Sequence, residues 1–171
     1  MKSRFGRRVA FLLLVASAAF NLFPAGGATA ATNGSDCWNT RDSERSFARK
    51  INSARLGAEV GRLRLDPELS RAARGHSRAM ARKNLLHHTP TNRLKWKVTN
   101  WTILGENVGV GGSVPSLHQA FMDSAPHRAN IVLNQFRHVG VGVVKANQRM
   151  WVTVIFEAQT DPGTRLSMPS C

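Results

Sequence analysis

The chain has 171 residues, a length typical of one domain, and its 24 Lys and Arg against 10 Asp and Glu give a formal net charge of +14. This excess of positive charge favours acidic polymers or anionic surfaces as partners. The cations are scattered at spacings that suit the solvated side of helices, and no aromatic-interleaved basic strand accompanies them, so we expect no specific nucleic-acid partner. Attraction to an anionic cell-envelope surface follows from the charge alone.

Residues 1–30 have the order of a secretory signal peptide. A leader with four Lys and Arg is followed by an apolar run over residues 9–20 and by the small-residue cleavage site Ala28-Thr29-Ala30. The run is too short to span a bilayer comfortably, so we expect no transmembrane segment in the mature chain. The sequence predicts export, to an extracellular, periplasmic or cell-wall location, of a chain with a net charge of +10. The pair Arg7-Arg8 leaves the general and the twin-arginine routes both open.

The chain has two cysteines, Cys37 and Cys171, near the two ends of the mature domain. In an exported protein such a pair favours a disulfide bond over two free thiols. Closing so long a loop would stabilise the fold by about 5 kcal/mol in the chain-entropy model, provided that the ends of the domain meet. We therefore predict a flexible lead-in over residues 31–40, a domain over residues 41–160 and a tail, 161–171, tied by the disulfide.

The first half of the domain has the pattern of two helices. Apolar side chains follow helical spacing over residues 42–56, and Asp66-Pro67 combines a capping carboxylate with a proline at the start of a helix that runs to about Lys83. Residues 57–64 are expected to be a connection. His76 lies on the apolar face of the second helix, which is typical of a buried histidine bonded to backbone or to a neighbour.

Residues 84–101 carry no sustained period and predict a long loop that contains His87 and His88. Long loops in compact domains are often functional. Beyond this loop we predict a strand over residues 103–110, a helix over residues 115–123 and a further short helix over residues 127–133.

The end of the domain has the pattern of an antiparallel hairpin. Alternating valines over residues 139–144 and a run of β-formers over residues 150–156 are joined by a polar connector, residues 146–149. Gly140 and Gly142 leave one face of the first strand bare, so we expect another element to pack close against it. Helices followed by a terminal hairpin predict an α+β fold.

His88, Glu106 and His127 are the candidates for a polar site. Two imidazoles and one carboxylate suit a divalent transition metal such as zinc and leave a fourth position open. Their spacing matches no recognised metal motif, so hydrogen-bonding roles are the alternative. Ser124 and His127, oriented by Glu106, could instead form a nucleophile–base pair.

A series of motifs in chain order makes the sequence recognisable: INSAR, LRLDPELSRAARGHSRAM, HHTP, GENVGVG, MDSAPHRANIV, FRHVGVGVV and WVTVIF. It resembles the CAP superfamily (cysteine-rich secretory proteins, antigen 5 and pathogenesis-related proteins) in a short bacterial form, over residues 47–158. The resemblance implies a three-layer α-β-α sandwich with a small antiparallel sheet between helices. It also implies a cleft with two histidines and two acids, which in some members binds zinc or another divalent ion.

The resemblance assigns roles to the candidate residues. His88 and His127 correspond to the two histidines and Glu106 to the first acid, whereas Ser124 stands where the family's second acid is expected. Asn107 and Ser124 would line the cleft. We expect a binding or envelope-associated protein rather than an enzyme, with a divalent metal or a small, lipid-like ligand in the cleft. An extracellular hydrolase that uses the same cleft and a cationic polyanion-binding protein are the alternatives.

Overall fold

The computed structural model describes residues 37–98, 101–159 and 171. The predicted signal peptide, most of the lead-in and most of the tail lie outside these residues. None of the helices in the described ranges combines the length and the apolar character that crossing a bilayer requires. The helices and strands of this part of the chain are α1 (Asp42–Gly57), β1 (Arg64–Leu65), α2 (Pro67–Lys83), α3 (Thr91–Lys97), β2 (Ile103–Gly111), α4 (Val114–Asp123), α5 (Ala125–Val132), β3 (His138–Ala146) and β4 (Arg149–Ala158).

The four strands form one mixed sheet in the order β1-β3-β4-β2. β3 and β4 are the predicted antiparallel hairpin, and β2 pairs antiparallel to β4 at the edge. The hairpin turns at Asn147 and Gln148, whose φ angles of 51° and 59° match the twist of the strands. β1 adds a short parallel pairing, Arg64 opposite His138, inside the segment that the sequence predicted as a connection.

Helices cover both faces of the sheet, so the predicted α+β sandwich is confirmed. On one face α1, α4 and α5 bury a continuous apolar cluster with the valines of β3 and β4. On the other face α2 and α3 bury two smaller clusters, one around Leu69, Leu94 and Ile155 and one around Met80 and Trp151. Successive strand side chains point to opposite faces, so a single sheet contributes to both cores.

The bare strand face at Gly140 and Gly142 lies directly under α2. A Cβ atom at Gly140 would be 2.2 Å from the backbone of Leu69, and one at Gly142 would be 2.1 Å from the backbone nitrogen of Arg74. Ser77 of α2 completes the contact, since its hydroxyl lies 2.9 Å from the carbonyl oxygen of Gly142. The prediction that another element packs close against these glycines is confirmed.

Cys37 and Cys171 form the predicted disulfide, with their Cα atoms 4.8 Å apart. The backbone N–H of Cys171 donates to the carbonyl oxygen of Trp38. The guanidinium of Arg74 lies 3.8 Å from the centre of the Trp38 ring and forms a buried ion pair with Glu44. The start of the described chain is therefore fastened both to the C-terminal residue and to the helical layers.

Two differences from the sequence analysis concern the segments around the site. Residues 84–101 contain a helix, α3, where we predicted an uninterrupted loop. α3 is only seven residues long, begins after Pro90 without a side-chain cap and buries only Leu94, so it carries no helical period for a pattern to detect. α5 begins at Ala125, two residues earlier than predicted, because Pro126 occupies its first turn, where a proline needs no partner for its missing N–H.

Candidate functional site

Glu106 lies on β2, the edge strand, and its side chain is on the α2 side of the sheet. Val108, two residues further along, packs in the cluster that contains Met80 of α2. Gly105 and Gly109 face the opposite way, since a Cβ atom at these positions would meet side chains of the α4–α5 side. The alternation along β2 thus separates Glu106 from its neighbours in sequence.

The two carboxylate oxygens of Glu106 have different surroundings. Oε1 accepts a hydrogen bond from Nδ1 of His88 at 3.0 Å and another from the backbone N–H of Thr89 at 2.8 Å. Oε2 is buried and has no hydrogen-bond partner in the described part of the chain. The side chain of Glu106 is 6% exposed, whereas that of His88 is 60% exposed. His88 therefore forms the open side of a nearly buried carboxylate, and its Nε2 is left as the acceptor when Nδ1 donates.

His127 belongs to α5, on the other side of β2. The amide nitrogen of Asn107 donates to the backbone oxygen of His127 at 2.9 Å and thereby joins α5 to β2. The ring of His127 lies 4.9 Å from that of Phe121, and its Nδ1 is buried with no partner among the described residues. Burial lowers the pKa of His127, and the nearby charge of His88 lowers the same pKa further. A neutral imidazole is thus favoured here at neutral pH.

The two predicted cleft-lining residues occupy structural positions. Asn107 is fully buried, and its amide oxygen accepts from Asn130. Ser124 links α4 to α5 through its backbone, whose carbonyl oxygen accepts from Arg128. No side-chain hydrogen bond joins Ser124 to His127 within the described ranges, so the geometry offers no nucleophile–base pair at this place.

A cavity of about 500 Å³ opens beside Glu106. His88 and Glu106 line it together, whereas His127, Asn107 and Ser124 do not. The amino group of Lys95 is 5.6 Å from the centre of the Trp101 ring at its rim. The other lining residues are Thr89, Thr91, Leu94, Thr102, Ile103, Leu104 and Gly105.

Comparison with known proteins gives this arrangement a context. The sequence profile of the family described as "CAP: Cysteine-rich secretory protein family" matches residues 48–156. The chain belongs to the CAP family. The match covers well over half of the chain and includes Glu106, His88 and His127.

Relatives of this CAP chain occur in bacteria. It is 31% identical over 110 residues to the uncharacterized protein YkwD of Bacillus subtilis (strain 168), an alignment of 60% of this chain and 43% of that protein. An extracellular SCP-domain protein of Bacillus anthracis str. Ames has a TM-score of 0.62 at 25% identity, with 68% of this chain and 40% of that one covered. The chain thus spans less than half the length of either.

The fold also matches an outer surface protein of Borrelia burgdorferi. The TM-score is 0.65 at 15% identity, with 71% of this chain and 96% of that one covered. At this identity the likeness concerns the fold alone.

The CAP domain has the donor types that suit a divalent metal, but the part that the structure describes does not bring three of them together. Among the described residues, no group of three or more His, Cys, Asp and Glu side chains is placed to hold a metal ion. The contacts of the two histidines differ. His88 is hydrogen-bonded to Glu106, whereas the ring of His127 packs against Phe121.

Sequence analysis missed the apolar part of the site. Trp101 and Lys95 line the cavity, and α3 supplies the lysine together with the buried Leu94 that holds the helix in place. The sequence offered one indication, a tryptophan among small polar residues shortly before the strand that carries Glu106. That indication could not locate the cavity, because the lysine comes from a helix that the pattern did not show.

Proposed function

We propose that this chain is an exported CAP-domain binding protein that holds a small amphiphile in the cavity beside Glu106. The observation that carries the proposal is the state of the carboxylate. Glu106 lines the cavity, and its Oε2 is buried and has no partner in the described part of the chain. A buried carboxylate oxygen without a hydrogen bond is costly, and a ligand with a donor group would remove that cost.

The other residues of the cavity define the rest of the ligand. Leu94, Trp101, Ile103 and Leu104 provide apolar side chains, and the volume of about 500 Å³ lies in the range of small-molecule sites. A carboxylate favours a hydroxyl or amine head group and repels an anionic one. The ligand class is therefore a short apolar chain or ring that carries a hydrogen-bond donor.

A divalent cation is the second candidate, with His88, Glu106 and His127 as its ligands. Two observations favour it: Nδ1 of His127 and Oε2 of Glu106 are both buried without partners among the described residues, and the lowered pKa of His127 keeps its imidazole neutral. Neutral imidazole and carboxylate are ligands that zinc prefers. Because no group of three such side chains in the described ranges is placed to hold a metal ion, such binding would require movement of at least one of them.

Calorimetric titration separates these candidates. We expect a ten-carbon monoglyceride to bind the wild type, and a fatty acid of equal chain length to bind at least about tenfold more weakly, because its head group is anionic. Glu106→Gln should lose this preference, whereas Asp123→Asn, at an exposed carboxylate on α4, should keep it. Absence of monoglyceride binding to the wild type would refute the amphiphile.

A zinc titration of the same proteins tests the cation. Binding that is lost in both Glu106→Gln and His127→Ala would support a shared metal site. Equal heats in the wild type and His127→Ala would exclude His127 as a ligand. Turnover of an ester or peptide that disappears in Glu106→Gln would replace a binding role with the hydrolase alternative.

Export forms a separate part of the proposal. It is supported by the leader pattern of residues 1–30 and by the extracellular description of the relative from Bacillus anthracis. Expression in a bacterial host followed by mass measurement of the protein in the medium tests it. We expect cleavage after Ala30, and full-length protein that stays inside the cells would contradict export.

A further inference from the structure

The exposed apolar side chains of this protein are concentrated in one stretch of the chain. Of the five large apolar side chains that are exposed in the described ranges, four lie between residues 84 and 105: Leu85, Leu86, Trp96 and Ile103. Trp96, on α3, is 91% exposed. A tryptophan so accessible on a protein surface marks an interaction site more often than a scattered apolar residue does, since burying its ring is strongly favourable.

The same stretch carries positive charge without negative charge. Residues 84–105 contain no Asp or Glu, whereas α3 places Arg93, Lys95 and Lys97 within three residues of Trp96. α3 has three cations in seven residues, which is well above the mean for the chain of 24 Lys and Arg in 171 residues. We call Arg93, Lys95, Trp96 and Lys97 the α3 surface.

Two hollows adjoin Trp96, and both have cationic side chains. One, of about 440 Å³, lies between α3 and α2 and is lined by Trp96, Lys97 and Arg71, with Glu68, Ala72 and Gly75. The other, of about 400 Å³, is lined by Trp96, Lys97, Arg93 and Asn92. Each is large enough for a phosphate group, and each offers at least two cations to it. The aromatic ring therefore adjoins two recesses with two cations each, and the first of them also contains Glu68.

We propose that the α3 surface docks on a membrane that contains anionic phospholipids. A bilayer interface accepts both features at once, because the indole ring of tryptophan favours the head-group level and the lipid phosphates attract Lys and Arg. A soluble polyanion would engage the cations but would leave Trp96 and its apolar neighbours in water. Lys95 and Ile103 also line the cavity beside Glu106, so the docking is tested at Arg93, Trp96 and Lys97, which do not.

Vesicle flotation of the full chain tests the docking, with vesicles of phosphatidylcholine alone and with one third phosphatidylglycerol. We expect binding to the anionic vesicles only. Trp96→Ala should weaken it by about tenfold, and Arg93→Ala with Lys97→Ala by about thirtyfold, since each cation near an anionic surface contributes a factor of about five. All variants carry the same N-terminal residues, so differences among them report the substituted side chains.

Matched substitutions on the other layer of the protein provide the controls. Leu56, on α1, is the fifth exposed apolar side chain, at 62% exposure, and Arg49 and Arg62 are exposed cations. Leu56→Ala, and Arg49→Ala with Arg62→Ala, should leave binding within about twofold of the wild type. If the controls lose as much vesicle binding as the α3 variants, binding depends on net charge alone and the proposal is overturned. Unchanged binding in Trp96→Ala, or tighter binding to heparin than to anionic vesicles, would overturn it too.

Discussion

Replacement of Gly142 by alanine tests the closest contact of the fold. The added Cβ atom would lie 2.1 Å from the backbone nitrogen of Arg74 and 2.2 Å from the carbonyl carbon of Ala73. Ordinary contacts begin at 3.4 Å, and neither partner is a flexible side chain. α2 must therefore move away from the sheet by about 1 Å, or β3 must deform by a similar amount.

The size of the effect follows from what that movement would disrupt. The hydroxyl of Ser77 is hydrogen-bonded to the carbonyl oxygen of Gly142 and to Thr153 in a fully buried position, and an unsatisfied buried group costs about 1–3 kcal/mol. The gap would also remove part of the dispersion energy of Leu69 and Ala73 against the sheet. We expect Gly142→Ala to lower the free energy of unfolding by at least about 3 kcal/mol.

Urea unfolding followed by far-UV circular dichroism measures this loss. Gly75→Ala is the matched control, because Gly75 lies within α2 and a Cβ atom there would meet nothing within 4 Å. Replacing this glycine by alanine in a helix interior should raise the free energy of unfolding by about 0.5–1 kcal/mol. A Gly142→Ala protein within about 1 kcal/mol of the wild type, or a destabilised Gly75→Ala, would show that α2 does not lie as described.

Three further substitutions test the supports of the fold. Burial raises the pKa of Asp66 to about 6, so ionisation of this carboxyl is disfavoured in the folded state and the free energy of unfolding should fall as the pH rises from about 4 to about 6. Asp66→Asn, which keeps the helix cap, should remove this decline in urea titrations at several pH values. An unchanged decline in Asp66→Asn would contradict the assignment to Asp66. Cys37→Ser with Cys171→Ser should lower the free energy of unfolding by about 2–5 kcal/mol in the same assay, and no loss would exclude a stabilising disulfide. Arg74→Met, which leaves the carboxylate of Glu44 buried without its ion-pair partner, should cost about 3–5 kcal/mol in the same assay, and a neutral result would contradict this cost.

Local signals in the sequence predicted most of the fold. The Asp66-Pro67 pair marked the start of α2 because a capping carboxylate and a proline act at fixed positions. The terminal hairpin was equally clear from its alternating valines. β1 was not predictable, since its two residues become a strand only through pairing with β3, which lies more than 70 residues away. Its existence depends on tertiary contacts rather than on its own composition.

The candidate site was predicted in part, for reasons that strand geometry explains. The contact between His88 and Glu106 agrees with their assignment to one cleft. The resemblance to the CAP family grouped His127 with them. Asn107 was included as the neighbour of Glu106 in the sequence, yet adjacent strand residues point to opposite faces. Applying this alternation to residues 103–110 would have placed Asn107 away from Glu106. The position of α5 around the edge of the sheet could not be deduced in that way, because it depends on packing between helices.

The tight seating of α2 on Gly140 and Gly142 determines which part of the site is adjustable. A helix whose backbone touches the sheet cannot slide or tilt without a clash, so its end at Asn84 is a fixed point. The chain then turns through a left-handed residue, with φ of 46° at Asn84, into residues 85–89, which carry His88. Insertions or substitutions in those five positions can reshape the open side of the carboxylate and leave the scaffold unaltered. Diversity in ligand preference within such a domain would therefore arise at this short segment rather than in the helix before it.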